Sequence, residues 1–80
     1  MYNFYEEVVS TERHGELVWR RRINQQYSVY ITKEIGLDQF SYDIYDEIAN
    51  EKIFDTDFVY SSFNDAVDAA EDYVTKHKIV

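Results

Sequence analysis

The groups in this chain able to do chemistry are mostly carboxylates. Asp38, Asp43, Asp46, Glu47, Glu51, Asp55 and Asp57 fall within twenty residues, and Lys52 is the one base among them. Paired carboxylates hold divalent cations or exchange protons with a substrate. A cation at Asp55 and Asp57 would need further oxygen ligands on a glycine-containing turn, and no EF-hand spacing surrounds them. His14 lies in a turn-like stretch and His77 near the C-terminal end of a helical pattern. With no cysteine and no third ligand at matching spacing, they do not read as a zinc site. There is no glycine-rich phosphate loop, no glycine-flanked serine nucleophile and no HExxH. The chain therefore reads as non-catalytic, with no metal and no cofactor expected.

Charge is the stronger signal. The 80 residues carry sixteen acids and eight Lys or Arg, a net charge of −8. The excess is uneven. Residues 1–33 hold four acids and five bases, whereas residues 34–80 hold twelve acids and three bases. Net charge of this size is repelled by nucleic acid and by anionic membrane, and attracted to basic protein surfaces. Arg20, Arg21 and Arg22 form the one basic cluster. Alternation on a strand places Arg20 and Arg22 with Val18 and puts Arg21 on the Trp19 face, where cross-strand acids can pair with them. A direct nucleic-acid contact would need a longer basic stripe.

The elements that would position these groups follow from periodicity. Apolar residues at Phe63, Ala66, Val67, Ala70, Tyr73, Val74 and His77 trace one helical face, which predicts a C-terminal helix over about Phe63–His77. Ser62 is a natural N-cap, with Asp65 in the capping-box position and Lys76 and Lys78 near the negative end of the helix dipole. "LVWRRRI" (Leu17–Ile23) and "YSVYITKEI" (Tyr27–Ile35) read as a hairpin joined by "NQQ", with Trp19, Ile23, Tyr27, Val29 and Ile31 sharing one face. In "FSYDIYDEI", Phe40, Tyr42, Ile44 and Ile48 are expected inward, and Ser41, Asp43, Tyr45 and Glu47 outward. "EKIFDTDFVY" is expected as a further strand after a turn at Ala49–Asn50, and "YNFYEEVVS" reads as an edge strand running into the "ERHGE" turn in preference to a short helix. The fold expected is α+β: one domain over 1–80, an antiparallel sheet of four to five strands with one face under a single C-terminal helix. No apolar run approaches the ~20 residues of a membrane span, and "MYNFYEEVVS" lacks the basic start and apolar middle of a signal peptide, so a cytoplasmic location is expected.

In such a fold the outward positions of "SYDIYDEI" can be polar at little cost, but close-set acids still repel one another. Tyrosines between them add the rigid area that anchors protein interfaces, with Tyr42, Tyr45 and Tyr60 as candidates. The expected partner-binding residues are Asp43, Tyr45, Asp46, Glu47, Glu51, Asp55 and Asp57, with Asp68, Glu71 and Asp72 on the helix. The expected partner is a basic protein surface of the nucleic-acid-binding kind, because carboxylates two apart on a strand recur at roughly the 6–7 Å of successive phosphates. In general character the chain resembles the small, acidic, cysteine-free inhibitors that phages direct against nucleases and CRISPR complexes. That resemblance lies in composition alone. The alternatives are an antitoxin or immunity-type partner of a basic toxin, and a homo-oligomeric module, such as a homodimer, that pairs edge strands.

Overall fold

The computed structural model describes residues 6–9, 17–34, 36, 38–57 and 59–79. Strands β1 (Glu6–Val9), β2 (Leu17–Arg22), β3 (Tyr27–Lys33), β4 (Phe40–Asp46) and β5 (Glu51–Asp55) precede one helix, α1 (Phe63–Lys76). The sheet order is β1-β2-β3-β4-β5, and every neighbouring pair is antiparallel. Helix α1 packs on β3 and β4, so the fold is the expected α+β sandwich. Among the described residues no helix is long and apolar enough to cross a membrane.

Two side-chain-capped turns set the central register. Asn24 Oδ1 accepts from the Gln26 and Tyr27 N–H groups at 2.8 and 2.9 Å, which closes the β2–β3 hairpin. Asp46 Oδ1 does the same after β4, accepting from Ile48 and Ala49 N–H at 3.0 and 2.9 Å. Such Asx-type turns let a side chain stand in for a backbone carbonyl. Asn50 completes this second turn at φ 60, in the left-handed region that asparagine tolerates.

The period-2 and period-3.6 patterns meet in the core. Val29 and Ile31 from β3 and Tyr42 and Ile44 from β4 are buried against Ala66, Val67, Ala70 and Val74 of α1. The alanines let the helix backbone come close to the sheet. Ser62 caps the helix, its hydroxyl accepting from Asp65 N–H at 3.0 Å. Asp65 makes no reciprocal capping box with Ser62; its carboxylate accepts from the Ser61 hydroxyl at 3.3 Å. The helix ends one residue earlier than expected, with His77 as its C-cap.

Rings fill the space beside the helix. Trp19 meets Phe63 edge-on at 5.2 Å, and on the other flank Phe54 stacks on Tyr73 at 4.2 Å, which in turn stacks on His77 at 4.0 Å. Tyr42 sits among Phe54, Tyr60 and Tyr73. Burial pushes its phenol up to about 12, with Tyr60, Tyr73 and Asp72 adding to the rise.

Three expectations are corrected. Ile48 does not point inward; it is 72% exposed, because β4 ends at Asp46 and the following turn breaks the alternation. The strand foreseen over "EKIFDTDFVY" stops at Asp55, and the chain rejoins the sheet only through a single Tyr60–Phe40 bridge. Tyr42 belongs to the core rather than to an interface. Of the N-terminal stretch, Glu6–Val9 forms the expected edge strand, while the "ERHGE" turn and Ile35 lie outside the described residues.

The core makes one sharp prediction. Val67 is fully buried beneath the helix. A Val67→Asp change strands a carboxylate there at a cost of several kcal/mol, against the order of 5 kcal/mol that holds a domain this small. Far-ultraviolet dichroism and urea titration should find it unfolded; a cooperative transition like the parent's would contradict this packing.

Candidate protein-binding surface

The face of the sheet away from α1, called the open face below although Ser28, Thr32 and Ser41 are buried on it, is built from three cross-strand rows. Arg20, Tyr30, Asp43 and Asp55 stand in one register row, Arg22, Ser28, Tyr45 and Lys52 in the next, and Val18, Thr32 and Ser41 in the third. Tyr30 and Tyr45 meet edge-to-face at 5.5 Å, and the Tyr30 hydroxyl donates to Glu47 Oε2 at 3.2 Å. Burial raises the Tyr30 phenol above its ordinary value, helped by Glu47 and opposed by Arg20. Ser28, registered opposite Tyr45, is fully buried and its hydroxyl has no hydrogen-bond partner among the described residues.

A bulge decides the charge on this face. Ile44 pairs with Phe54, but Tyr45 pairs with Lys52, so Ile53 is an extra residue on β5. In a regular strand residues three apart point to opposite faces. The extra residue restores parity and brings Lys52 round to the side of Asp43 and Asp55. Those two acids are register partners, a pairing that repels. Lys52 Nζ lies 3.2 Å from Asp55 and 3.9 Å from Asp43, which offsets the repulsion. The open face is thus a mixed array of acids, arginines and tyrosines.

The candidate residues divide accordingly. Asp43, Tyr45, Glu47 and Asp55 come together on or beside the open face. Glu51 and Asp57 are exposed at the β5 end of the sheet. Asp68, Glu71 and Asp72 lie on α1, in the other layer, and cannot meet the same flat partner surface as Asp43 and Tyr45. Glu71 is ion-paired with Arg21, which takes the Trp19 side of β2 as its alternation required. Asp46 leaves the set: it is buried, and besides its two turn bonds it accepts from Gln26 Nε2 at 3.1 Å. Ala49 N–H, then Gln26, and then Ile48 N–H hold its carboxyl below the usual range. Tyr60 is half-buried beside Tyr42. Sequence reasoning missed Tyr30, the centre of the open face, although its position between Ser28 and Thr32 on β3 signals it. His14 lies outside the described residues, and among those described no group of three or more acids or histidines is placed to hold a metal ion.

The sheet order gives charge a direction. Because each strand lies beside its sequence neighbours, Arg20, Arg21 and Arg22 of β2 and Lys33 of β3 fall on the β1–β3 side of the sheet. The acidic second part of the chain becomes the β4–β5 side and the helix. On the β5 side Glu51, Asp55 and Asp57 outnumber Lys52, while β1 at the opposite edge carries Glu6 and Glu7.

Lys52→Gln leaves Asp43 and Asp55 opposed without their shared cation, and should lower stability by about 0.5–1 kcal/mol in low salt, less in high salt. Urea titration at the two salt concentrations checks this; a neutral result at low salt would mean that Lys52 offsets nothing. Asp46 predicts an acid limb. Its folded pKa lies below the unfolded one, so its contribution is complete above the unfolded value and is lost as pH falls through the folded value. Asp46→Asn should flatten that limb in thermal melts across the acid range. Compared with known proteins, the chain matches no family model, no curated protein and no solved structure.

Proposed function

We propose that this chain is a non-catalytic acidic binding protein that docks on a basic, nucleic-acid-binding surface of a partner protein, its carboxylates standing where phosphates would. The setting that fits is a phage or mobile-element inhibitor of a nuclease or CRISPR effector in a host cytoplasm. The observation that carries this reading is the alignment of charge with topology. Of the twelve acids that face three bases in residues 34–80, Asp43, Asp46, Glu47, Glu51, Asp55 and Asp57 fall on β4, β5 and the segments that follow them, and Asp65, Asp68, Glu71 and Asp72 on the helix over β3 and β4. A field of that shape steers the β5 end toward positive charge during encounter. Close-set carboxylates cost stability, so a small domain that keeps them has a use for the field. The half-exposed Tyr45 supplies rigid contact area beside Asp43.

The test is affinity capture from host lysate at low salt, followed by titration of the purified partner and competition with its nucleic acid. Binding should fall steeply from about 50 to about 500 mM salt, as the Debye length shrinks from roughly 14 to roughly 4 Å. Asp55→Asn with Asp57→Asn should weaken binding about tenfold or more, because these acids lie at the acidic end. Asp65→Asn with Asp72→Asn removes equal charge from the outward helix face and should matter much less. Salt-insensitive binding, or equal loss in both double variants, would overturn the proposal.

A further inference from the structure

The acidic end of the sheet is also its open edge. β5 is the last strand, and Glu51, Lys52, Ile53 and Asp55 of its five residues are exposed. Thr56 N–H turns inward to the Tyr42 carbonyl at 3.1 Å, so alternation directs the Asp55 N–H and C=O outward. The large apolar side chains exposed among the described residues gather here too. Ile48, 72% exposed, lies in the turn entering β5, Ile53, 41% exposed, is its bulge, and Val59, 64% exposed, follows it. Glu51, Asp55 and Asp57 alternate with them along the chain, and Glu47 precedes Ile48. Apolar and charged side chains so interleaved offer an extended partner both contact area and charge recognition.

A second copy of the chain does not fit this edge. Two β5 strands related by a two-fold axis, centred on Ile53, set Glu51 opposite Asp55 twice. Centring on Lys52 opposes two lysines, and centring on Phe54 opposes Glu51 and Asp57. Each of these registers opposes like charges. The complement is a foreign chain carrying positive charge.

We propose that the β5 edge receives an extended basic segment of the partner protein, in which Lys or Arg alternates with apolar side chains. Backbone pairing at the edge supplies part of the affinity. The Lys or Arg meet the acids, and the apolar positions meet Ile53 and its neighbours. This inference rests on the acidic-docking reading and names its contact.

Isotope-labelled protein, titrated at low salt with a short alternating Lys–Val peptide and a Lys–Gly peptide of equal charge, separates the two. The Lys–Val peptide should bind about tenfold more tightly, with amide shifts centred on Glu51–Val59 and Ile48. Ile53→Asp adds negative charge, yet should abolish that preference while Lys–Gly binding holds or tightens. Val59→Asp serves the same purpose if Ile53→Asp fails to fold. Equal affinity for the two peptides, or shifts centred on Asp65, Asp68 and Asp72, would overturn the edge inference and leave acidic docking standing. Binding of neither peptide would overturn both.

Discussion

One helix has to cover a five-stranded sheet, and most of this structure follows from that shortage. A helix with its side chains is about 10 Å across and strands are about 4.8 Å apart, so α1 can shield roughly two of them. It lies on β3 and β4, and there the deepest residues gather, Val29, Ile31, Ile44 and Val67. The flanking strands need covering that the helix cannot give. Aromatic rings give it: Trp19 with Phe63 on the β2 side, Phe54 with Tyr73 and His77 on the β5 side. The high aromatic fraction and the absence of cysteine are two sides of this solution. Broad rings close a core that is too narrow for its sheet, without a covalent staple.

Shortage of cover also makes β5 what it is. Its Phe54 is tied down by Tyr73, while the remainder of the strand faces solvent. Edges of this kind invite unwanted pairing, and proteins blunt them with charge and bulges. Both devices are present in Glu51, Lys52, Asp55 and the extra residue Ile53. The same devices leave apolar and acidic groups alternating along the edge. Protection against self-pairing and the proposed selectivity for a basic partner would rest on one arrangement.

Much of this fold is legible in the sequence. The 3, 1, 3, 3, 1, 3 spacing from Phe63 to His77 placed the helix to within a residue, because a stripe that long has no other period. Alternation in "FSYDIYD" sorted Asp43 and Tyr45 from Phe40, Tyr42 and Ile44 correctly, because the strand is regular there. It failed where regularity stops. Ile48 was assigned inward by continuing a count past the end of β4. Asp46 was offered as a surface acid because nothing local tells an Asx turn from an exposed carboxylate when Gln26, twenty residues away, supplies one of its hydrogen bonds. The bulge at Ile53 carries no glycine to announce it, so the placing of Lys52 beside two acids was invisible.

The distribution of charge across the sheet does not depend on such local details. In a fold with crossovers, a run of acids along the sequence would be dealt out among distant strands and its field would cancel. Here the strand order equals the sequence order, so uneven charge along the chain becomes uneven charge across the molecule. Moving Lys52 to one face, or Asp46 into a turn, changes which carboxylates stand free without changing which end of the sheet is negative. Pair energies of a few tenths of a kcal/mol are decided by bulges and turns. The long-range field is decided by topology. The proposed partner, approaching from solution, would meet the field first, and only at contact distance the arrangement of Ile53, Asp55 and Tyr45.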